Sequence, residues 1–349
     1  MLALHSPALR GGALALLAAA LFGFSTPLVQ RLGAGVGAFS TAAFLYAGSA
    51  LVGLVLRRPL SQEARVQRGD LKSLLAMAAL GAVVGPVALA WGLQRTSGTS
   101  ASLMLTLEAV FTAVLAWRLY HETMDRRVAL GMGLLLAGGI ALVLDQGLTG
   151  GVQVWGLLAV MLATAAWGVD NTLSRALADR DPGQVVMLKS ALGASATAAL
   201  TWALDEPLPS ATATLGLLVV GASGYGLSLR FYLLAQRSFG ATRTGSVFAF
   251  APFVGALLAW GLGDRSGSGL LWVGGILMLA GVGLHLLETH AHVHSHEALD
   301  HEHAHTHDDG HHDHRHDPMP KGTHSHRHHH APLTHDHAHV PDMHHMHTH

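Results

Sequence analysis

The sequence contains no cysteine among its 349 residues, so disulfide bonds and thiolate chemistry with metals or oxidants are excluded. Charged residues are also scarce: they make up 12% of the chain, whereas a soluble domain carries about 25%. The net charge is −1 with histidine neutral, which gives no basic surface for nucleic acid. These deficits argue against a soluble domain and against a protein that binds nucleic acid.

Half of the residues are apolar, and before position 288 they form long runs separated by short gaps. A run of about 18 or more apolar residues can cross a bilayer as a helix. The first run, after Arg10, is too long for the core of a signal peptide and is not followed by a clear cleavage site, so we predict a membrane helix there. The ten predicted spans are residues 12–30, 36–56, 73–93, 98–117, 128–144, 154–174, 184–204, 212–234, 242–262 and 269–287.

The Lys and Arg residues that flank the predicted spans indicate the orientation of the chain in the membrane. If the N-terminus is cytoplasmic, the cytoplasmic flanks hold 13 of these residues and the opposite flanks hold 3. We therefore predict that both termini face the cytoplasm. The membrane that we expect is a bacterial inner membrane.

The two halves of the chain resemble each other in sequence. FGFSTPLVQR aligns with WGVDNTLSRA 145 residues later, and VFTAVLAW aligns with FVGALLAW 143 residues later. The offset of 143 also places Gly131 and Gly138 on Gly274 and Gly281. Glycines of this kind allow membrane helices to approach closely.

Each half has five spans, and an odd number inserts the second copy upside down relative to the first. Inverted repeats are common in secondary transporters, because rocking about a shared central site gives alternating access. We predict an all-α polytopic membrane protein with ten transmembrane helices in two inverted five-helix repeats, residues 1–147 and 148–288, followed by a disordered tail at 289–349. A duplicated helical scaffold without a transport role is the alternative.

Corresponding segments of the two halves resemble the EamA-type domain of the drug/metabolite transporter superfamily. The first is TSASLMLTLEAVFTAVLAW followed by HETMDRRVALGMGLLLAGG, and the second is GATRTGSVFAFAPFVGALLAWGLGD followed by GGILMLAGVGL. The resemblance covers residues 11–287. It departs from the family at a Glu-Pro pair, which is Glu108-Ala109 in the first half and Ala251-Pro252 in the second.

This resemblance implies a ten-helix permease with both termini inside the cell. It also implies secondary transport, often export, and no enzymatic activity. It does not imply a substrate, because the family handles amino acids, nucleotide sugars, drugs and other metabolites.

Four ionisable residues lie inside the predicted spans: Glu108, Asp170, Lys189 and Arg230. Charged groups at membrane depth are costly, so they usually face a cavity or a partner. We predict that Glu108 carries a coupling proton; the alternative is a packing residue bonded to a neighbouring helix. Lys189 and Arg230 could contact an anionic substrate, neutralise Glu108 or Asp170, or extend to the membrane interface.

Polar residues follow an aromatic-Gly pair in the first span of each repeat. They are Ser25 and Thr26 in the first span, and Asp170 and Asn171 in the sixth. Because the repeats are related by a pseudo-twofold axis, we predict that both sites line a central cavity, where Pro27 would kink its helix. Hydrogen bonding between helices by small polar side chains is the alternative.

Of the 27 histidines, 24 lie between His290 and His349, in six blocks of alternating residues. Residues i and i+2 of an extended chain lie on the same face, so His-x-His can present two imidazoles to one ion. Imidazole without thiolate suits Zn²⁺, Ni²⁺, Co²⁺ or Cu²⁺. The tail has few large apolar residues and is therefore predicted to be disordered. The predicted metal-binding residues are His290, His292, His294, His296, His301, His303, His305, His307, His312, His314, His316, His324, His326, His328, His335, His337, His339, His345, His347 and His349.

Three functions agree with these observations. The first is a secondary transporter that exports a small solute and has a metal-binding cytoplasmic tail. The second is a permease that exports the Ni, Co or Zn cation itself, and the third is a membrane-anchored metal buffer or sensor that does not transport. A purification tag or a low-complexity tail without a role are alternatives for the histidines.

No cofactor is expected to be required; the expected partners are lipid, the solute or ion, the metal and, in a homodimer, a second copy.

Overall fold

A computed structural model describes residues 7–59, 62–120, 126–147, 151–177, 180–239, 241–265, 268–286, 291–296, 299–305, 324–330 and 333–338. All structural statements concern these residues.

Ten helical segments, α1 to α10, cross the predicted membrane region. Within the described residues, nine are long and apolar enough to span a bilayer, and the apolar part of the tenth is shorter, at Gly269–Leu284. The ten predicted spans are therefore confirmed as helices. Their bounds are α1 Pro7–Leu32, α2 Ala38–Val55, α3 Arg68–Leu93, α4 Gly98–Met104 continuing to Glu108–Tyr120, α5 Arg126–Gly147, α6 Gly151–Ser174, α7 Pro182–Ala203, α8 Ala211–Arg237, α9 Ala241–Phe248 continuing to Ala251–Gly261, and α10 Gly269–Leu286.

The helices of the two repeats pack in an inverted arrangement. The second helix of each repeat packs against the other (α2 with α7), and so does the fifth (α5 with α10). The first helix packs against the third and fourth helices of the opposite repeat in both cases: α1 with α8 and α9, and α6 with α3 and α4. Each contact therefore has a counterpart when the helices of one repeat are exchanged for the corresponding helices of the other. This symmetry of contacts indicates that a pseudo-twofold axis relates the two repeats.

The repeated glycines lie where α5 packs against α10. A Cβ atom built on Gly138 would stand 2.8 Å from the carbonyl oxygen of Gly274, and one on Gly281 would stand 2.7 Å from that of Gly131. The two contacts are counterparts, since Gly131 corresponds to Gly274 and Gly138 to Gly281. The close approach that was predicted for these glycines is confirmed, and it is the small-residue packing that membrane helices use.

Four helices are interrupted, at positions that correspond between the repeats. The third helix of each repeat contains a wide π-helical turn, Leu80–Val84 in α3 and Gly221–Leu227 in α8. The fourth helix of each repeat is broken just before the residues of the divided Glu-Pro pair: a 3₁₀ turn at Leu105–Leu107 precedes Glu108, and a turn precedes Ala251. π-turns and 3₁₀ turns inside helices are frequent at functional sites.

Large apolar side chains cover the outside of the bundle. They include Ile140, Trp155, Leu215, Leu257 and Ile276, each more than half exposed. Such a surface is unfavourable in water but is the surface that a bilayer requires.

Four short segments of the tail are described. Its four described segments are strands, β1 Ala291–His296, β2 Leu299–His305, β3 His324–His330 and β4 Leu333–Ala338. β1 pairs with β4 and β2 pairs with β3, both antiparallel. Alternating sequences favour extended chains whose backbone groups can pair. The predicted metal-binding residues outside the described residues are His290, His307, His312, His314, His316, His339, His345, His347 and His349.

Candidate substrate cavity

A cavity of about 50 Å³ lies in the middle of the bundle, between helices of both repeats. A space of this size holds a few water molecules. The residues that line it come from α1, α2, α4, α6, α7, α8 and α9: Phe22, Tyr46, Glu108, Trp167, Asp170, Asn171, Lys189, Gly224, Tyr225, Ser228, Leu229, Tyr232 and Phe248. Four of them, Glu108, Asp170, Asn171 and Lys189, were predicted from the sequence.

Asp170 of α6 and Lys189 of α7 form an ion pair in this cavity. Lys189 Nζ donates to Asp170 Oδ2, and both side chains are 4% exposed. One of the alternatives for Lys189, that it neutralises a buried carboxylate, is thus what the structure shows. The second oxygen, Asp170 Oδ1, is buried and has no hydrogen-bond partner among the described residues. A buried acceptor without a partner is costly, so Asp170 retains the capacity to bind a further donor or a cation.

The π-turn in α3 holds Asp170 in place. Gly81 lies in this turn, and a Cβ atom at Gly81 would stand 2.3 Å from the Asp170 carboxylate. Only glycine therefore leaves room for the carboxylate. The Gly81 carbonyl oxygen accepts hydrogen bonds from the Tyr46 hydroxyl and, at 3.0 Å, from Trp167 Nε1. A wide turn changes the i→i−4 bonding pattern, which frees a carbonyl for such side-chain donors.

Glu108 stands at the interruption of α4 and faces the residue next to Asp170. It is the first residue after the 3₁₀ turn, and its Oε1 accepts a hydrogen bond from the Asn171 side-chain amide. Asp170 and Asn171, which are consecutive in α6, thus bind different partners. Asp170 binds the ammonium group of Lys189 from α7, and Asn171 binds the carboxyl group of Glu108 from α4. The cavity brings together two carboxyl groups, one ammonium group and one amide.

Aromatic rings form most of the remaining wall. Phe22 and Trp167, which are 145 positions apart and therefore correspond between the repeats, meet edge to face with centroids 5.5 Å apart. Tyr225 adds to this cluster at 5.8 Å from Phe22, and Tyr232 contacts Phe248 at 5.1 Å.

The sequence analysis did not assign these rings to the site. The chain has only four tyrosines, and three of them, Tyr46, Tyr225 and Tyr232, line the cavity. Because tyrosine usually marks membrane interfaces, its position deep inside spans was the signal that could have identified the wall.

The sequence matches the EamA-like transporter family at two ranges, residues 9–144 and 154–287. The two matches cover most of the chain and coincide with the two inverted repeats. The chain belongs to the EamA-like transporter family. The family consists of membrane transporters of small solutes and not of enzymes, and the histidine-rich tail lies beyond both matched ranges.

Two further comparisons identify a sequence relative and a structure with a similar fold. An uncharacterized transporter from Methanothermobacter thermautotrophicus is 29% identical over 235 residues, which make up 65% of this chain and 68% of that relative. A solved crystal structure superimposes with a TM-score of 0.55 at 20% identity, covering 80% of this chain and 94% of that chain. The second likeness shows the shared fold.

Ser25 and Thr26 of this EamA-like protein lie beside the cavity but are not among the residues that line it. Ser25 Oγ donates to the Phe22 carbonyl oxygen at 2.6 Å, and Thr26 is buried in the same helix. Ser25 also packs against Gly224, where a Cβ atom would stand 2.5 Å from it. The observed contacts of Ser25 are thus a hydrogen bond within α1 and packing against α8.

Arg230 is likewise not among the residues that line the cavity. Its Nη1 donates to the Leu56 carbonyl oxygen, at the end of α2, at 3.1 Å. The arginine therefore ties α8 to α2 near the basic end of the bundle.

Partly buried ion pairs join the two repeats at one end of the bundle. We call this end the basic end and define it as residues 56–59, 62–70, 175–177 and 180–184 and the last turn of α8. Glu63 is buried and accepts from Arg237 Nη1 at 2.8 and 3.1 Å. Arg180 Nε donates to Asp70 at 2.8 Å. The sequence analysis counted Arg180 and Arg237 only as flanking charge and did not predict the pairs.

The repeats are also joined at the opposite end, by hydrogen bonds from backbone N–H groups to carboxylates. Ser40 donates to Glu206 at 3.0 Å, and Thr99 donates to Asp264 at 2.8 Å. Cross-repeat bonds thus lie on both sides of the cavity, which is the arrangement that a transporter opening at one end at a time requires.

Proposed function

We propose that this protein is a secondary active transporter that exports a small solute through the central cavity, with a proton on Glu108 as the coupling ion and a cytoplasmic tail that binds divalent transition metals. The observation that carries the proposal is the placement of Glu108 and Asp170 in one buried cavity between inverted repeats.

The two carboxyl groups have different partners, and this difference supports the coupling role of Glu108. Asp170 has the ammonium group of Lys189, whereas the hydrogen bond to Glu108 comes from the neutral amide of Asn171. A carboxylate in a buried site is costly without a compensating charge. Either a bound proton or a cationic group of the solute therefore compensates the charge of Glu108. Because the two replace each other at Glu108, proton movement is coupled to solute movement across the membrane.

The proposed direction of transport is supported by the position of the Asp170–Lys189 ion pair along the helices. Lys189 lies seven residues from the start of α7, roughly 10 Å from the basic end, and Asp170 lies four residues before the end of α6. The basic end carries the excess of Lys and Arg, so it faces the cytoplasm by the positive-inside rule. The ion pair therefore lies toward the cytoplasmic side of the central cavity, a position that suits loading from the cytoplasm and export across an inner membrane.

Direct efflux of a Ni, Co or Zn cation is the second candidate, favoured by the two carboxyl groups and by the tail. Among the described residues, however, no group of three or more His, Asp or Glu side chains is placed to hold a metal ion. The aromatic wall suits an organic solute better than a bare ion. A metal buffer that does not transport would have no use for a polar cavity between inverted repeats.

Expression in metal-sensitive cells tests the proposal. The full-length protein is compared with a version that ends at Glu288, with Glu108→Gln and Asp170→Asn, and with Asp205→Asn as a control in an exposed loop. Cellular nickel, cobalt, zinc and cadmium are measured, together with the small organic solutes that appear in the medium.

We expect the full-length protein and the control to release an organic solute, and both cavity variants to stop the release. Release of a metal by the full-length protein, abolished by the cavity variants, would establish direct metal efflux instead. If no solute and no ion depends on Glu108, the proposed transport function is wrong. The truncated version separates the tail from transport, because it keeps the whole cavity.

A further inference from the structure

The charged groups that line the central cavity do not cancel one another. Glu108 and Asp170 contribute two carboxyl groups, and Lys189 contributes one ammonium group. The other titratable side chains of the wall are tyrosines, which are neutral at physiological pH. They are Tyr46, Tyr225 and Tyr232. With both carboxyl groups ionised, the cavity therefore has a net charge of −1.

The helices that surround Glu108 bring no further charge to the described wall of the cavity. α1 and α9 contribute phenylalanine rings, and α5, which packs against α4, contributes no lining residue. The titratable residues of α5 lie in its first and last turns; they are Arg126, Arg127 and Asp145. Arg230 of α8 bonds the Leu56 carbonyl oxygen, away from the lining residues.

The uncompensated charge lies on Glu108. The charge of Lys189 is balanced by Asp170, whereas the hydrogen bond that Glu108 accepts comes from the neutral amide of Asn171. The buried Asp170 Oδ1 adds an acceptor that has no hydrogen-bond partner among the described residues. A ligand that brings one positive charge and an N–H donor matches these two positions, because it compensates the carboxylate and satisfies the acceptor.

The aromatic wall favours an organic cation over an inorganic one. Six of the residues that line the cavity are aromatic, and Phe22 and Trp167 meet at an interplanar angle of 84°, so the wall contains both ring edges and ring faces. The face of an aromatic ring attracts an ammonium or guanidinium group. The same rings cover an apolar body, for which a hydrated inorganic ion has no counterpart.

We propose that the exported solute is an organic cation with a single positive charge, an ammonium or guanidinium group on an apolar body, and that it is exchanged for one proton at Glu108. This inference rests on the proposed transport function and names its substrate class and stoichiometry. A net charge of −1 is neutralised by one proton or by one such cation, so the two exclude each other. Each cation that leaves is replaced by one proton that enters, and the exchange is electroneutral.

The charge of the cavity also determines which solutes are excluded. A zwitterion, such as an amino acid, brings no net charge and therefore does not replace the proton on Glu108. Its carboxylate would also meet the two carboxyl groups of the cavity, while the ammonium group of Lys189 is already paired with Asp170. An anionic solute would increase the uncompensated charge.

Uptake by proteoliposomes that contain the full-length protein tests the substrate class. One probe is phenethylguanidinium, which stays charged because a guanidinium group has a pKa above about 12. The matched probe is N-amidinophenylalanine, which is the same cation with one added carboxylate. The interior of the vesicles is made more acidic than the medium, and Glu108→Gln, Asp205→Asn and vesicles without protein are measured in parallel.

We expect the native protein and Asp205→Asn to accumulate the cation about tenfold for each pH unit of the gradient, since one-for-one exchange makes the cation ratio equal to the proton ratio. The zwitterion should not accumulate, and Glu108→Gln should resemble vesicles without protein. Equal accumulation of the two probes would overturn the substrate class.

A membrane potential tests the stoichiometry. It is imposed with potassium and valinomycin while the pH gradient is held constant. Electroneutral exchange predicts the same final accumulation of phenethylguanidinium at every potential. Accumulation that changes with the potential would show that the numbers of charges moved in the two directions differ, and one-for-one exchange would be wrong.

Two variants separate the net charge of the cavity from the individual groups. Asp170→Asn removes one negative charge, which leaves no net charge for the cation to neutralise, so we expect accumulation to be lost. Asp170→Asn combined with Lys189→Met restores the net charge and keeps an acceptor oxygen at position 170, so part of the accumulation should return. If the double variant melts like the native protein and accumulates no more cation than Asp170→Asn, net charge does not select the solute.

The solute that cells release through the native protein provides an independent measurement. A cationic solute whose release depends on Glu108 would support the inference. If neither probe accumulates and the solute released in this way is a zwitterion or an anion, the transport function stands and the substrate class is wrong. If no release and no uptake depends on Glu108, both are wrong.

Discussion

Lys189 of α7 and Asp170 of α6 form an ion pair in the interior of the bundle, where both side chains are 4% exposed. Removing one partner leaves an uncompensated charge in a buried site, which typically costs about 3–5 kcal/mol. We therefore expect Lys189→Met to lower the free energy of unfolding in detergent by an amount of this order. Asp170→Asn combined with Lys189→Met should regain much of the loss, because neither charge then remains. Purely additive single and double variants would show that the pair does not contribute to folding.

Gly81 should not tolerate alanine, because its Cβ atom would stand 2.3 Å from the Asp170 carboxylate. We expect Gly81→Ala to displace Asp170 and to abolish transport, with a lower melting temperature. Gly133→Ala is the matched control: Gly133 lies in α5 with no atom within 4 Å of the added methyl group, so stability should be unchanged or higher by up to about 1 kcal/mol. Equal behaviour of the two variants in melting and transport assays would refute the tight fit at Gly81.

Glu108→Gln should uncouple transport from the proton gradient. Glutamine keeps an oxygen that can accept the hydrogen bond from Asn171, but it does not bind and release a proton at physiological pH. In proteoliposomes we expect the variant to exchange the exported solute passively and to show no accumulation when a pH gradient is imposed. Asp205→Asn should respond like the native protein. Accumulation by Glu108→Gln that follows the gradient would assign the coupling proton to another group.

Breaking the ion pairs of the basic end should open the cavity toward the cytoplasm. Glu63 accepts two close contacts from Arg237, and Glu63→Gln removes the charge while keeping the size of the side chain. Ser228→Cys, the single cysteine in the chain, reports on the cavity wall. We expect Glu63→Gln to increase labelling of this cysteine by a membrane-impermeant maleimide from the cytoplasmic side.

Asp264→Ala, at the opposite end, provides the converse of that experiment. Asp264 accepts from the Thr99 N–H group, so its loss should increase labelling of the Ser228→Cys reporter from the outer side only. Labelling that is the same from both sides in both variants would show that these contacts do not control access.

The spans and their inverted arrangement were predictable because a membrane helix satisfies its backbone hydrogen bonds internally and must be apolar along its length. The polar part of the cavity was predictable for the converse reason. Glu108, Asp170 and Lys189 are costly inside a bilayer, and groups of this kind collect where they can meet partners.

Other parts of the site depend on tertiary contacts that hydropathy does not encode. The choice of Asp170 rather than Glu108 as the partner of Lys189 depends on how α6 rotates against α7. The π-turns come from backbone bonding that no residue pattern specifies. Arg230 lay within a predicted span, but only the packing of α8 on α2 shows that it bonds a carbonyl at the helix end. In the tail, the alternation of the histidines was visible in the sequence, but the pairing of the strands becomes apparent only once the chain folds back.

The crossing of α5 and α10 has a mechanical consequence. At Gly138 the backbone of α5 closely approaches the carbonyl group of Gly274, and the counterpart contact is repeated between Gly281 and Gly131. Helices in such contact can rotate about the contact point, but sliding one past the other would push Cα atoms into carbonyl groups. We expect this crossing to act as the fulcrum of the molecule, which stays fixed while the ends of the bundle open in turn.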